Sequence, residues 1–200
     1  MGKLIVFGCG GHARSVLDIL SYNQAVNDIV LVDENARENE SIMGWPVVKS
    51  YCVKSDDLVF SASGNHEQRK NILECFDYCQ WFTVISKQAY VAGSAEIKKG
   101  TMVAHRAHLG PEAQVGRGSI INTGSIVEHE SVIGDYVHVA PGSVVCGRSR
   151  IGNYVMLGAG STVIDRISIC DNVIIGAGSV VVMDITDPGT YVGAPAHKIK

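Results

Sequence analysis

Aromatic residues make up only 6% of this 200-residue chain, and charged residues only 18%. With 46% hydrophobic residues and so few aromatics, the core must be built from Val, Ile and Ala, which excludes a disordered chain. No apolar run is long enough to cross a bilayer, so no membrane span is expected. The net charge of −3 supplies no basic surface, which argues against nucleic acid as a partner. The six cysteines, at positions 9, 52, 75, 79, 146 and 170, contain no CxxC pair and no disulfide framework. Reduced thiols in a cytoplasmic protein are therefore expected. No group of His, Cys and Asp has metal-ligand spacing, so no metal is expected. The opening segment from Met1 to Phe7 is too short for a signal peptide and runs into a glycine turn, so it reads as a first strand.

What is present is a six-residue period. From Val91 to Val181, sixteen consecutive hexad positions are Val, Ile or Leu, among them Ile97, Val103, Leu109, Ile133, Val145 and Val163. Four residues after each comes a small or β-branched residue such as Ala95, Thr101, Ser119 or Ser161. A period of six fits neither a helix of 3.6 residues per turn nor a sandwich, whose turns are unevenly spaced. It fits a coil of three short strands, in which each inward side chain stacks on the one eighteen residues away. Fifteen full hexads make about five triangular coils, roughly 24 Å tall at strand spacing of about 4.8 Å.

Before the repeat lies a small α/β unit. Buried-strand runs are expected at Lys3–Phe7, Ile29–Val32, Leu58–Ser61 and Trp81–Ile85, with helices after the first and third. Three loops follow strand ends: Gly8-Cys9-Gly10-Gly11-His12, Asp33-Glu34 and Ser63-Gly64-Asn65. Ligands of parallel sheets bind at that edge. The first loop can be a structural glycine turn, a dinucleotide-cofactor turn or a site for a nucleotide-linked substrate. No second mononucleotide-binding half follows, which favours the substrate over the cofactor. The expected division is 1–86 for this unit, 87–183 for the coil and 184–200 for a tail.

Gly10-Gly11-His12, Gly64-Asn65, Glu128-His129-Glu130 and the tail Tyr191-Val192-Gly193-Ala194-Pro195-Ala196 occur in order. Together they resemble the bacterial sugar N- or O-acetyltransferases that join a nucleotide-sugar domain to a left-handed parallel β-helix of hexapeptide repeats. The resemblance, and not the spacing, implies the left hand, since parallel crossovers are otherwise right-handed. Within that family the likeness is strongest to the bacillosamine-pathway enzymes, which use acetyl-CoA to acetylate the 4-amino group of a UDP-linked 4-amino-4,6-dideoxy sugar. It implies His129 as catalytic base, Glu130 as its orienting carboxylate and Asn122 as a substrate contact. It implies acetyl-CoA contacts at His138, Ala159 and Ala177, and nucleotide-sugar contacts at Gly10, Gly11, His12, Asp33, Glu34 and Gly64. Glu34 departs from a second aspartate, Ala177 from a glycine, and Asp165-Arg166 from a Pro-Asn pair.

An imidazole can take a proton from an attacking amine near neutral pH. Either Glu128 or Glu130 can hold it, but neighbours in an extended strand point apart, so contact needs a bend at a prism corner. Gly147 stands one coil from His129, where it leaves room for a thioester and offers an N–H to the oxyanion, or simply eases a corner. Direct attack by the amine needs no nucleophile from Cys146. His138, last in its hexad, reads as a turn residue; His105 and His108 read as surface or coil-stacking residues. Alternatives are sugar O-acetylation of the sialic acid type, acetylation of GDP-perosamine, a carbonic-anhydrase-like zinc β-helix and a non-catalytic scaffold. Because one convex prism cannot enclose a ligand, a homotrimer with clefts between prisms is expected.

Overall fold

The computed structural model describes residues 2–23 and 28–200. Its first unit comprises β1 (Leu4–Phe7), α1 (Gly11–Asn23), β2 (Ile29–Val32), β3 (Ser41–Ile42), β4 (Trp45–Val48), β5 (Leu58–Ser61), α2 (His66–Cys75) and β6 (Gln80–Trp81). The sheet runs β3-β4-β2-β1-β5-β6, parallel throughout except between β3 and β4. Strand order reverses between β1 and β5, which makes their C-terminal ends the crevice of the sheet. The β3–β4 hairpin escapes sequence reading for a local reason. Its two-residue turn is Met43-Gly44, both at positive φ (51° and 85°), where methionine gives no turn signal. Pro46 further disguises β4 as a strand.

The single strand expected over Trp81–Ile85 is in fact two. Trp81 pairs with Val59 in the α/β sheet, whereas β7 (Val84–Ile85) pairs with Met102–Val103 in the coil. The chain therefore crosses between sheets at Phe82-Thr83, ahead of the division expected at residue 86. The hexad phase extends back to Ile85, so the coil begins one strand earlier than Val91.

The hexads form a parallel β-helix with three faces. Face one holds β7 and the strands at Met102, Ile120, His138, Met156 and Val173, and is extended by two tail strands, Gly189–Val192 and His197–Lys198. Face two runs in six strands from Tyr90–Val91 to Val180–Val181, and face three in five from Glu96–Ile97 to Ser168–Ile169. Pairing is in register at eighteen residues, as in Val103 with Ile121 and Val139 with Leu157. Inward residues such as Val103, Leu109, Ile121, Val139 and Leu157 are fully buried. Each contributes about 1.5–3 kcal/mol of apolar burial. The small residues between them include hydroxyls that would be costly to bury unpaired. Thr101, Ser119, Ser131 and Ser143 instead donate to the carbonyls of Gly116, Gly134, Cys146 and Gly158 at 2.8–3.0 Å.

Every sixth residue turns the corner in the left-handed region. Gly100, Gly118, Gly124, Gly142, Gly160 and Gly178 do so freely. Arg106, Glu112, Glu130, Tyr136, Arg148, Tyr154, Arg166 and Asn172 do so at φ of 57–63°. Each of these side chains costs about 1 kcal/mol of backbone strain. Asn122, Pro141, Ala159 and Ala177 lie along the first corner, between faces one and two. His129, Gly147 and Asp165 lie along the second, between faces two and three. The third corner carries Gly118, Tyr136 and Tyr154 and returns to face one.

The α/β unit sits on face one and the third corner. Val84, Met102 and Ala104 pack into the same core as Val16, Leu17 and Leu20 of α1. Leu73 of α2 packs with Tyr136, whose ring stacks on Tyr154 at 5.7 Å. Higher on face one, Met156 and Ile174 are 39% and 44% exposed, beyond the reach of that unit. His108 stacks on Tyr90 at 4.9 Å, a coil-stacking role. His105 bridges Ser86 and Asp18.

Candidate active site

The C-terminal ends of β1, β2, β4 and β5 open onto one cleft of about 680 Å³. Gly8 to His12 follow β1, Asp33 to Asn35 follow β2, Lys49 to Tyr51 follow β4, and Ala62 to Gly64 follow β5. All six expected residues of the first unit, Gly10, Gly11, His12, Asp33, Glu34 and Gly64, line it. Gly8 is required by the backbone, at φ 87°. Gly10, Gly11 and Gly64 are not, because nothing lies within 4 Å of where a Cβ would stand. Their bare backbone leaves space for a ligand. α1 starts at Gly11, and α2 is capped by Asn65, whose side chain accepts from Gln68 N–H at 3.0 Å. Both helix N-termini face this edge and favour an anion.

Asp33 and Glu34 differ in availability. Asp33 accepts the Cys9 N–H at 2.9 Å and the Asn35 N–H at 3.0 Å, so it shapes the first loop. Glu34 has no hydrogen-bond partner among the described residues and is the freer acceptor. Burial, with Asp33 and Glu40 nearby, pushes the Cys9 thiol up to about 11, so it stays protonated. Sequence reading missed Lys49, Ser50 and Tyr51, which depend on the unseen β4. It also missed Gln68, Asn71 and Ile72, whose helical spacing was the available signal.

His12 reaches from this cleft toward the β-helix. Its ring centroid lies 6.3 Å from that of His138, and its Nε2 is buried without a partner among the described residues. His138 is not the turn residue expected but a strand residue of face one, closed in by the α/β unit. Asn122 Nδ2 donates to His138 Nε2 at 3.1 Å, an arrangement that leaves the proton on Nδ1. Burial, followed by the Arg69 guanidinium, pushes both imidazoles down to about 4. Both are neutral at neutral pH.

The second corner holds a different constellation. His129 Nδ1 lies 3.0 Å from Glu130 Oε2, whereas Glu128 Oε2 accepts only the His129 backbone N–H, at 3.3 Å. Glu130, at φ 59°, supplies the corner bend that the contact requires. With Nδ1 donating to the carboxylate, Nε2 is left as the basic atom. That atom lies over Gly147, where a Cβ would meet Nε2 and Cε1 at 2.6 Å. The glycine thus makes room for the imidazole itself. Its N–H has no acceptor among the described residues. Asp165, one coil further, belongs to this corner as well and is held by Arg148 at 2.9 Å. Burial, with Asp165 and Glu128 nearby, raises the Cys146 pKa, which disfavours a thiolate there.

Ala159 and Ala177 stack on the first corner, exposed, and neither N–H has an acceptor among the described residues. The structure therefore brings the cleft, His12, Asn122 and His138 together. It sets His129, Glu130 and Gly147 on the corner opposite face one, away from the α/β unit of the same chain.

A domain described as the PglD N-terminal domain matches residues 3–76, and bacterial transferase hexapeptide repeats match residues 148–182. No curated protein sequence matches. Among solved structures, the acetyltransferase domain of PglB from Neisseria gonorrhoeae FA1090 is similar at 29% identity and TM-score 0.93, over 100% of both chains. The same domain in complex with acetyl coenzyme A gives 30% identity and TM-score 0.92, over 98% of both chains. A mutant of perosamine N-acetyltransferase from Caulobacter crescentus, in complex with CoA and GDP-perosamine, gives 26% identity and TM-score 0.90, over 100% of this chain and 98% of that one. Likeness of this extent spans the cleft, the prism and the tail in one alignment. The chain belongs to the bacterial hexapeptide-repeat sugar acetyltransferases.

Proposed function

We propose that the chain transfers acetyl from acetyl-CoA to the 4-amino group of a UDP-linked 4-amino-4,6-dideoxy sugar, working as a homotrimer. The observation that carries this reading is the separation just described. A sugar held in the cleft faces away from His129 of its own chain, so a second copy must bring that residue to it. Three prisms around a threefold axis supply three such clefts and close the assembly. Apolar surface is available for the contact: Tyr90 on face two is 57% exposed, and Ile164 and Val182 beside the second corner are 37% and 39% exposed.

In this reading the nucleotide lies along Gly10, Gly11 and Gly64, with its diphosphate at the helix N-termini and a hydroxyl on Glu34. The unpaired N–H groups of Ala159 and Ala177 donate to amide carbonyls of the coenzyme arm. The amine nitrogen attacks the thioester carbonyl while His129 Nε2 takes its proton, and Glu130 stabilises the imidazolium. The Gly147 N–H stabilises the oxyanion, an interaction often worth about 3 kcal/mol. Attack forms the C–N bond; collapse of the oxyanion re-forms the C=O bond, breaks the C–S bond and passes the proton from His129 to the leaving sulfur.

The Caulobacter relative with GDP-perosamine favours a second reading, with a GDP-linked sugar in the same cleft. Release of coenzyme A over a panel of UDP- and GDP-linked amino sugars and their hydroxyl analogues tests both. Turnover is expected with a UDP-linked 4-amino sugar. Turnover with GDP-linked sugars alone replaces the nucleotide, and turnover with hydroxyl analogues alone overturns N-acetylation.

A further inference from the structure

Arg69 of α2 is the largest fully buried side chain, 1% exposed, on the side of the helix turned toward the prism. Its Nη1 donates to Ser63 O at 2.9 Å and Gly64 O at 3.2 Å, both on the rim of the cleft. Nη2 donates to Tyr136 O at 2.9 Å and Nε to Gly118 O, both on the third corner. All four acceptors are neutral carbonyls. Among the described residues no carboxylate forms an ion pair with this guanidinium. A buried charge is expensive to leave without a counter-charge, and here the described residues supply none.

The field of that charge reaches the cleft. His12, which lines the cleft, and His138 behind it are held neutral first by burial and then by Arg69. The N-termini of α1 and α2 add partial positive charge at the same edge. We propose that Arg69 is a positioning residue whose buried charge finds its counter-charge in the substrate's diphosphate while its fork holds the Gly64 rim against the prism. This deepens the nucleotide-sugar reading of the cleft and rests on it.

The test compares a nucleoside diphosphate with its nucleoside, UDP against uridine and GDP against guanosine, by calorimetry on the full chain. Arg69→Gln keeps amide donors for the carbonyls but removes the charge. It is expected to weaken the diphosphate about tenfold and the nucleoside by less than about twofold. Arg69→Lys keeps the charge and is expected to keep the preference for diphosphate within about threefold of the native protein. Equal losses for diphosphate and nucleoside in Arg69→Gln, or an unchanged preference, overturn the proposal. If Arg69→Gln does not fold, loss of the preference in Arg69→Lys overturns it and retention supports it. A native protein that binds neither pair overturns the nucleotide reading of the cleft instead.

Discussion

The His129 imidazole and the Glu130 carboxylate meet at 3.0 Å although the two residues are adjacent in sequence. In an extended strand they would point to opposite faces. The left-handed backbone at Glu130 folds its side chain back beside the ring, while Glu128 is left on the backbone N–H. Which glutamate meets the imidazole thus follows from where the corner falls.

His129→Ala is expected to lower turnover by about 10²- to 10⁴-fold while coenzyme affinity is kept. Glu130→Gln should lose a large part of the same rate, and Glu128→Gln little of it. Steady-state kinetics with each substrate varied checks the contrast. Equal effects of the two glutamates would remove the assigned pairing.

Gly147→Ala places a methyl group 2.6 Å from the imidazole atoms Nε2 and Cε1. No left-handed backbone is involved at this position, so the fold should be kept while the ring is displaced. Turnover is expected to fall at least about 100-fold with little change in thermal midpoint, since a misplaced base forfeits its contribution. A variant of normal activity would show that the ring need not lie over this glycine.

At Gly10 an added Cβ meets no protein atom within 4 Å and the backbone is not left-handed, so Gly10→Val should fold normally. It should raise the KM for the nucleotide sugar and leave that for acetyl-CoA largely unchanged. The opposite pattern would mean that the cleft holds the coenzyme.

Histidines 12 and 138 give stability a definite pH dependence. Unfolded, each takes a proton below about pH 6.5; folded, each holds out to about 4. Between those values protons bind the unfolded chain preferentially, so stability falls as pH is lowered through that window. From pH 7 to pH 5 the loss is up to about 2 kcal/mol per histidine. Urea unfolding at both values should show a flatter dependence for the His12→Gln/His138→Gln double variant. A slope equal to that of the native protein would mean that these two groups are not buried as neutral imidazoles.

A site shared by two copies predicts complementation. His129→Ala and Gly10→Val are each expected to be poorly active, yet co-refolded mixtures should recover activity, because some clefts then combine an intact glycine loop with an intact histidine. Light scattering should give about three times the chain mass of 21.4 kDa. Mixtures no more active than their parents, or a fully active monomer, would contradict the shared site.

The prism was legible because its signal is periodic: one inward side chain in six, stacked eighteen residues apart, leaves a mark that no local exception erases. The glycine loop and Asp33-Glu34 were legible because they punctuate strand ends. Less so were features fixed by contacts between distant segments. Val84–Ile85 reads as the tail of one strand until its partner at Met102 is known. His138 looks like a turn residue until its pairing with Ile120 and Met156 in face one is known. Arg69 carries no sequence signal, since a basic residue on a polar helix reads as solvated, and only docking against Gly118 and Tyr136 buries it.

The fixed rung height makes the prism a ruler graduated in units of eighteen residues. Gain or loss of one whole coil between Arg148 and Asp165 leaves every inward side chain stacked on a like neighbour. It moves the Ala177 end of the first corner by about 4.8 Å relative to His129. An insertion that is not a whole number of hexads cannot be taken up within the strands without turning the apolar column outward, so it has to leave the prism as a loop at a corner. Within the strands, length therefore changes only in whole hexads, and each whole coil resets the distance between the Ala177 end of the first corner and His129.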